Sequence, residues 1–118
     1  MATERVKPII IHDTENNEDY TLEFNREAIL FAEARKFDID DVGRFPMTKI
    51  PELFWYAFRM HHKSMSKAQT DKLFEKLGGF KGVPDGFATR LGELYNAPFE
   101  ASFDGGEIVK NPNVTVEL

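Results

Sequence analysis

Residues 53–63 read LFWYAFRMHHK, and no other stretch constrains the fold as much. The segment holds four aromatic side chains, a methionine, an arginine and a histidine pair. At about 100° per residue a helix brings Leu53, Tyr56, Ala57 and Met60 to one face, which Phe54, Phe58, His61 and Met65 widen. The apolar arc then covers on the order of 200°, against roughly 100° for an ordinary surface helix. So wide an arc fits a helix packed on several sides, at the centre of a domain. It also fits a helix that shares part of its arc with another subunit or a client. Glu52, Arg59, His62 and Lys63 mark the polar side. Trp55 falls there, one turn before Arg59, where a guanidinium can lie on the indole face. For Trp55 two readings stand: burial under a loop, or contact with a partner, because tryptophan is enriched at binding hot spots.

What surrounds this helix is legible in the patterns on either side. PIIIH at 8–12 is short, β-branched and apolar, as a strand should be. After the polar DTENNED, the run YTLEF alternates, with Tyr20, Leu22 and Phe24 on one face and Thr21 and Glu23 on the other. The two runs predict a β-hairpin, and a lone hairpin is marginal in water without a third strand or a helical layer. NVTVEL at the end supplies such a strand, with Val114, Val116 and Leu118 on one side. Asn25 is placed to cap a helix over REAILFAEARK, with Glu27 in the first turn. FDIDDVGRFPMT then connects to Pro51, a suitable first-turn residue for the central helix, which is expected to run to about Met65. SKAQ matches the capping-box pattern, with Ser66 as cap and Gln69 three residues on. That helix gathers Leu73, Phe74 and Leu77 and stops at Gly78-Gly79. A last helix from near Pro84 aligns Phe87, Leu91, Leu94 and Tyr95, and Pro98 should bend or end it. The expected fold is α+β: about four helices on a small antiparallel sheet formed by the N-terminal hairpin and a C-terminal strand, a single domain over residues 1–118.

Bulk properties narrow the function. A chain of 118 residues can bury roughly two thirds of its unfolded surface, enough for a core. There is no cysteine, which excludes disulfides, thiolate metal sites and cysteine nucleophiles. No apolar run approaches the ~20 residues of a membrane span, and MATERVKPIII lacks a signal-peptide layout, so a cytoplasmic protein is expected. A net charge of −5 without a basic stripe makes nucleic acid a poor partner.

Chemical motifs were weighed in turn. His61 and His62 point about 100° apart on a helix and cannot chelate one ion as an i, i+4 pair would. DIDDVG at 38–43 starts like a calcium loop, but Val42 stands at its fifth position and Lys49 where the bidentate glutamate belongs. The same acids suit the start of a short helical turn. GGFKGVPDG has neither phosphate-loop nor dinucleotide spacing and reads as a helix-to-helix loop. Glu27 and Glu33 do not converge as a carboxylate pair. The residues therefore offer no catalytic, metal or cofactor site, and a non-enzymatic protein is expected.

Taken in order, the chain resembles a family of small tail assembly chaperones from long-tailed phages and prophages of Gram-positive bacteria. The similar stretches are YTLEFNREA, AEARKFDIDDVGRFPMTKIPELFWYAFRMHHK, TDKLFEKLGG, LGELYNAPF and a short β-like tail, from about Tyr20 to Leu118. The resemblance implies a non-enzymatic role. Such a chaperone coats the long hydrophobic tape measure protein, keeps it soluble in the host cytoplasm, and helps recruit tail tube protein, and it is absent from the finished virion. Self-association is a further expectation. Phe54, Trp55, Phe58, Arg59 and His61 match the family's central helix, and Leu94 and Tyr95 its last one. These are the candidate partner-binding residues.

Overall fold

The computed structural model describes residues 6–103 and Asn113. Strands β1 (Ile9–Asp13) and β2 (Glu18–Leu22) pair antiparallel, with Ile9 opposite Leu22 and Ile11 opposite Tyr20. Asp13 closes the turn by accepting from the Asn16 backbone N–H and side-chain amide. The alternation sends Ile11 and Leu22 into the core and leaves Ile10 and His12 outside. Val114, Val116 and Leu118, the expected third strand, lie outside the described residues. Among the described residues the turns after residue 56 support the hairpin: the Tyr20 ring packs on Phe58 at 5.6 Å, and the Glu23 backbone N–H donates to the Ala57 carbonyl at 3.1 Å. Glu23 is accordingly buried rather than set on an outer face, because β2 has ended and the chain there is tied to residue 57.

Helix α1 (Arg26–Ala34) starts as the sequence predicts, with the Asn25 side chain accepting from the Ala28 N–H at 2.8 Å. It ends in a Schellman motif, in which Phe37 N–H reaches the Ala32 carbonyl and Lys36 N–H the Glu33 carbonyl. Lys36, at φ 65°, occupies the left-handed position that glycine usually fills. The acids of DIDD do begin a helical turn, α2 (Asp41–Arg44).

The central helix departs from expectation at both ends. Helix α3 spans Pro46–Tyr56, so Pro46 takes the first turn and Pro51 sits inside the helix. Beyond Tyr56 the N–H groups of Phe58 and Arg59 bond three residues back, to Trp55 and Tyr56, and the α-helix gives way to tight turns. Helix α4 (Lys67–Lys76) has the full capping box between Ser66 and Gln69. After it, Gly78 turns left-handed at φ 92° and a one-turn helix, α5 (Gly79–Gly82), folds back. A side chain on Gly82 would lie 2.0 Å from the Leu77 carbonyl oxygen, so only glycine fits this approach. Helix α6 (Phe87–Phe103) runs through Pro98. A proline removes one helical hydrogen bond without ending the helix when the turns before it are held by a core, as Leu91, Leu94 and Tyr95 are.

These helices close around Phe54. Its ring meets Phe58 at 5.0 Å, Phe74 at 5.4 Å and Phe87 at 5.9 Å. A second aromatic group joins Phe24, Phe37, Tyr56 and Tyr95 with centroids 5.1 to 5.7 Å apart. Such edge-on pairs add about 0.5–1.5 kcal/mol each beyond area burial. The wide apolar arc of residues 53–58 is thus filled largely from within the chain.

Candidate functional site

The seven candidate partner-binding residues divide into two groups. Phe54 and Phe58 are fully buried, Leu94 and Tyr95 nearly so, and all four belong to the core. Trp55, Arg59 and His61 reach the surface where α3 passes into the turns before α4. Trp55 and Arg59 line one cavity, His61 lines another hollow with Glu18 and Tyr20, and the other four are enclosed in the core.

Trp55 is half-buried, and its indole N–H donates to the Met65 carbonyl at 3.0 Å. Its ring meets Phe31 of α1 edge-on at 5.5 Å. Arg59 does not lie on the indole. Its guanidinium sits over the Phe31 ring at 4.1 Å, and Arg35 sits over the same ring at 3.5 Å. The reason is tertiary: with α3 ended at Tyr56, Arg59 is no longer one regular turn along from Trp55 and is carried toward α1. Phe31, Arg35, Trp55, Arg59, Lys63 and Ser64 help line a cavity of about 260 Å³. Within it Arg35 Nη1 donates to the Phe31 carbonyl at 3.2 Å, and Arg59 Nη1 reaches the Lys63 carbonyl at 3.5 Å. Arg59 Nε is shielded from water and has no hydrogen-bond partner among the described residues.

The histidines occupy separate environments. His12 pairs with Asp19 across the hairpin at 2.7 Å. His61 Nε2 and Glu23 Oε1 lie 2.9 Å apart. His62 Nε2 accepts the Thr21 backbone N–H at 3.0 Å. Burial, then the neighbouring His61, hold the His62 imidazole below the ordinary histidine range, against a smaller opposing pull from Glu18. Among the described residues no group of three or more His, Cys, Asp or Glu side chains is placed to hold a metal ion. No described helix is long and apolar enough to cross a membrane.

A second hollow, of about 530 Å³, opens beside Phe37, Ile39, Tyr95 and Phe99. Burial, with help from the Glu33 and Asp38 carboxylates, pushes the Tyr95 hydroxyl up to about 12, so it remains a neutral donor there.

The most exposed large apolar side chains among the described residues lie elsewhere. Phe45 is 57% exposed and Met47 77%, on either side of Pro46 at the corner between α2 and α3. Both fall in the stretch FDIDDVGRFPMT, which the sequence pattern marks only as a connector. The signal was present in FPM, two large apolar residues flanking a helix-starting proline and outside any periodic stripe.

A family model matches the whole chain, residues 1–118. The chain belongs to the DUF5055 family, a domain of unknown function. No curated protein and no solved structure matches it. For this DUF5055 chain the site is therefore argued from its own geometry: a basic, aromatic cavity beside Trp55, and an apolar corner at Phe45 and Met47.

Proposed function

We propose that this chain is a non-enzymatic tail assembly chaperone of long-tailed phages or prophages. It binds the tape measure protein, keeps it soluble, and helps recruit tail tube subunits, acting in the bacterial cytoplasm and leaving before the particle is complete. The resemblance along Tyr20 to Leu118 supports the reading, and one surface observation carries it. Phe45 and Met47 present large apolar side chains to solvent from a corner built on two helix ends. Covering apolar client surface is favourable by ~25 cal/mol per Å². Methionine adapts its shape to varied partners, which suits a client bound along its length. The acidic and basic residues around the corner, Asp41, Arg44 and Lys49, form a polar rim that permits later displacement. An edge of the β1–β2 hairpin, which has no partner strand among the described residues, is the proposed route to self-association.

The test is co-expression with the tape measure protein of the same phage, followed by pull-down and by mass spectrometry of purified virions. The expected result is capture by the native chain, loss of capture in a Phe45→Ser, Met47→Ser double variant, and no chain in the virion. Undiminished capture by the double variant, or stoichiometric chain in the virion, would overturn the reading; the latter would indicate a structural head–tail or tail component.

A further inference from the structure

The chain has more acidic than basic residues, yet two of its cations lie against one ring with no ion-paired carboxylate among the described residues. Arg35 and Arg59 share the Phe31 ring, and among the described residues neither forms an ion pair. The ring face attracts a cation but offers it no hydrogen bond. Arg59 is under-compensated, because among the described residues its shielded Nε has no partner and its Nη1 contact is long at 3.5 Å. Lys63, also at the cavity, is already committed to Glu27 at 3.0 Å.

We propose that the cavity between α1 and the turns after α3 is a carboxylate site, which takes an aspartate or glutamate side chain from an acidic segment of a partner polypeptide. Arg35 and Arg59 both line the cavity, so a carboxylate entering beside Trp55 meets a planar guanidinium fork of the kind arginine uses to bind carboxylates by paired hydrogen bonds. The Ser64 hydroxyl at the wall adds a neutral donor. At about 260 Å³ the space suits a side chain. It is smaller than the roughly 300–1,000 Å³ typical of pockets for whole small molecules. The proposal rests on the reading of the chain as a client-binding protein and supplies the charge that a client would present.

Trp55 is the only tryptophan, so its fluorescence reports on this cavity directly. The full chain is titrated with two end-blocked peptides that differ only in glutamate against glutamine, and separately with inorganic phosphate. The expected result is a saturable change with the glutamate peptide and affinity roughly tenfold or more weaker for the glutamine peptide. Arg35→Gln should weaken the glutamate peptide by a similar factor, and Arg35→Lys should restore only part of it. Arg35 is exposed, so this variant keeps the test open should Arg59→Gln fail to fold. Equal response to both peptides, no response to either, or saturation by phosphate as tight as by the glutamate peptide overturns the proposal. The peptide result is independent of Phe45 and Met47. An inert glutamate peptide with normal client capture therefore rejects this site alone, and a binding peptide without client capture rejects the client reading.

Discussion

The backbone N–H of Thr21 donates to His62 Nε2 at 3.0 Å, which fixes the imidazole as an acceptor at that nitrogen and so as the neutral form with its proton on Nδ1. Protonating Nε2 would replace an acceptor with a second donor facing the Thr21 N–H. This contact joins the hairpin to the turns after α3, so it ties the sheet to the central helix.

A pH dependence follows. With its native pKa below the unfolded value of about 6.5, His62 binds fewer protons folded than unfolded. Its contribution is complete above about 6.5 and is lost as pH falls through the lower, native value. Stability of the native chain to denaturant should therefore fall, as pH drops below about 6.5, more than that of His62→Gln, whose amide accepts without titrating. Parallel curves would show that His62 does not couple to folding.

Lys36 holds a left-handed conformation at the Schellman end of α1. A side chain there costs roughly 1–2 kcal/mol, partly offset by the greater unfolded freedom of glycine. Lys36→Gly should raise stability by about 0.5–1 kcal/mol in thermal or urea unfolding. A loss of stability would mean the Lys36 side chain makes a contribution larger than the strain.

Gly82 lies against the backbone at Leu77, and backbone cannot swing aside as a side chain can. Gly82→Ala should cost about 1–3 kcal/mol as an overpacking change. Gly43, with nothing near its absent Cβ, should accept alanine with little effect, within about 0.5 kcal/mol. Equal costs at the two positions would contradict the packing of α5 on the end of α4.

Phe54 and Phe45 are both large, apolar and close in sequence, but only the first is enclosed. Phe54→Ala should lose about 3–5 kcal/mol. Phe45→Ser should change stability by no more than about 0.5 kcal/mol, since it removes an exposed side chain. Comparable losses would show that the α2–α3 corner is covered in solution.

The features read correctly from sequence are those whose partners lie within a few residues. The Asn25 cap, the Ser66–Gln69 box and the glycine stop after α4 are local and form as written, and the hairpin forms with its second strand at Glu18–Leu22, two residues earlier than the YTLEF run. The enclosed stripe of Phe87, Leu91, Leu94 and Tyr95 follows in the same way from helical spacing. Tertiary contacts decided the rest. Where α3 ends, Ala57 answers Glu23 and His62 answers Thr21, contacts between residues far apart in the chain. That early ending took Arg59 from Trp55 to Phe31 and opened the cavity that Arg35 shares. It was also packing from distant helices that enclosed Phe54 and Phe58 and left Phe45 and Met47 outside. A helical wheel reports which side chains share a face, but which elements cover that face is settled only when the chain closes on itself.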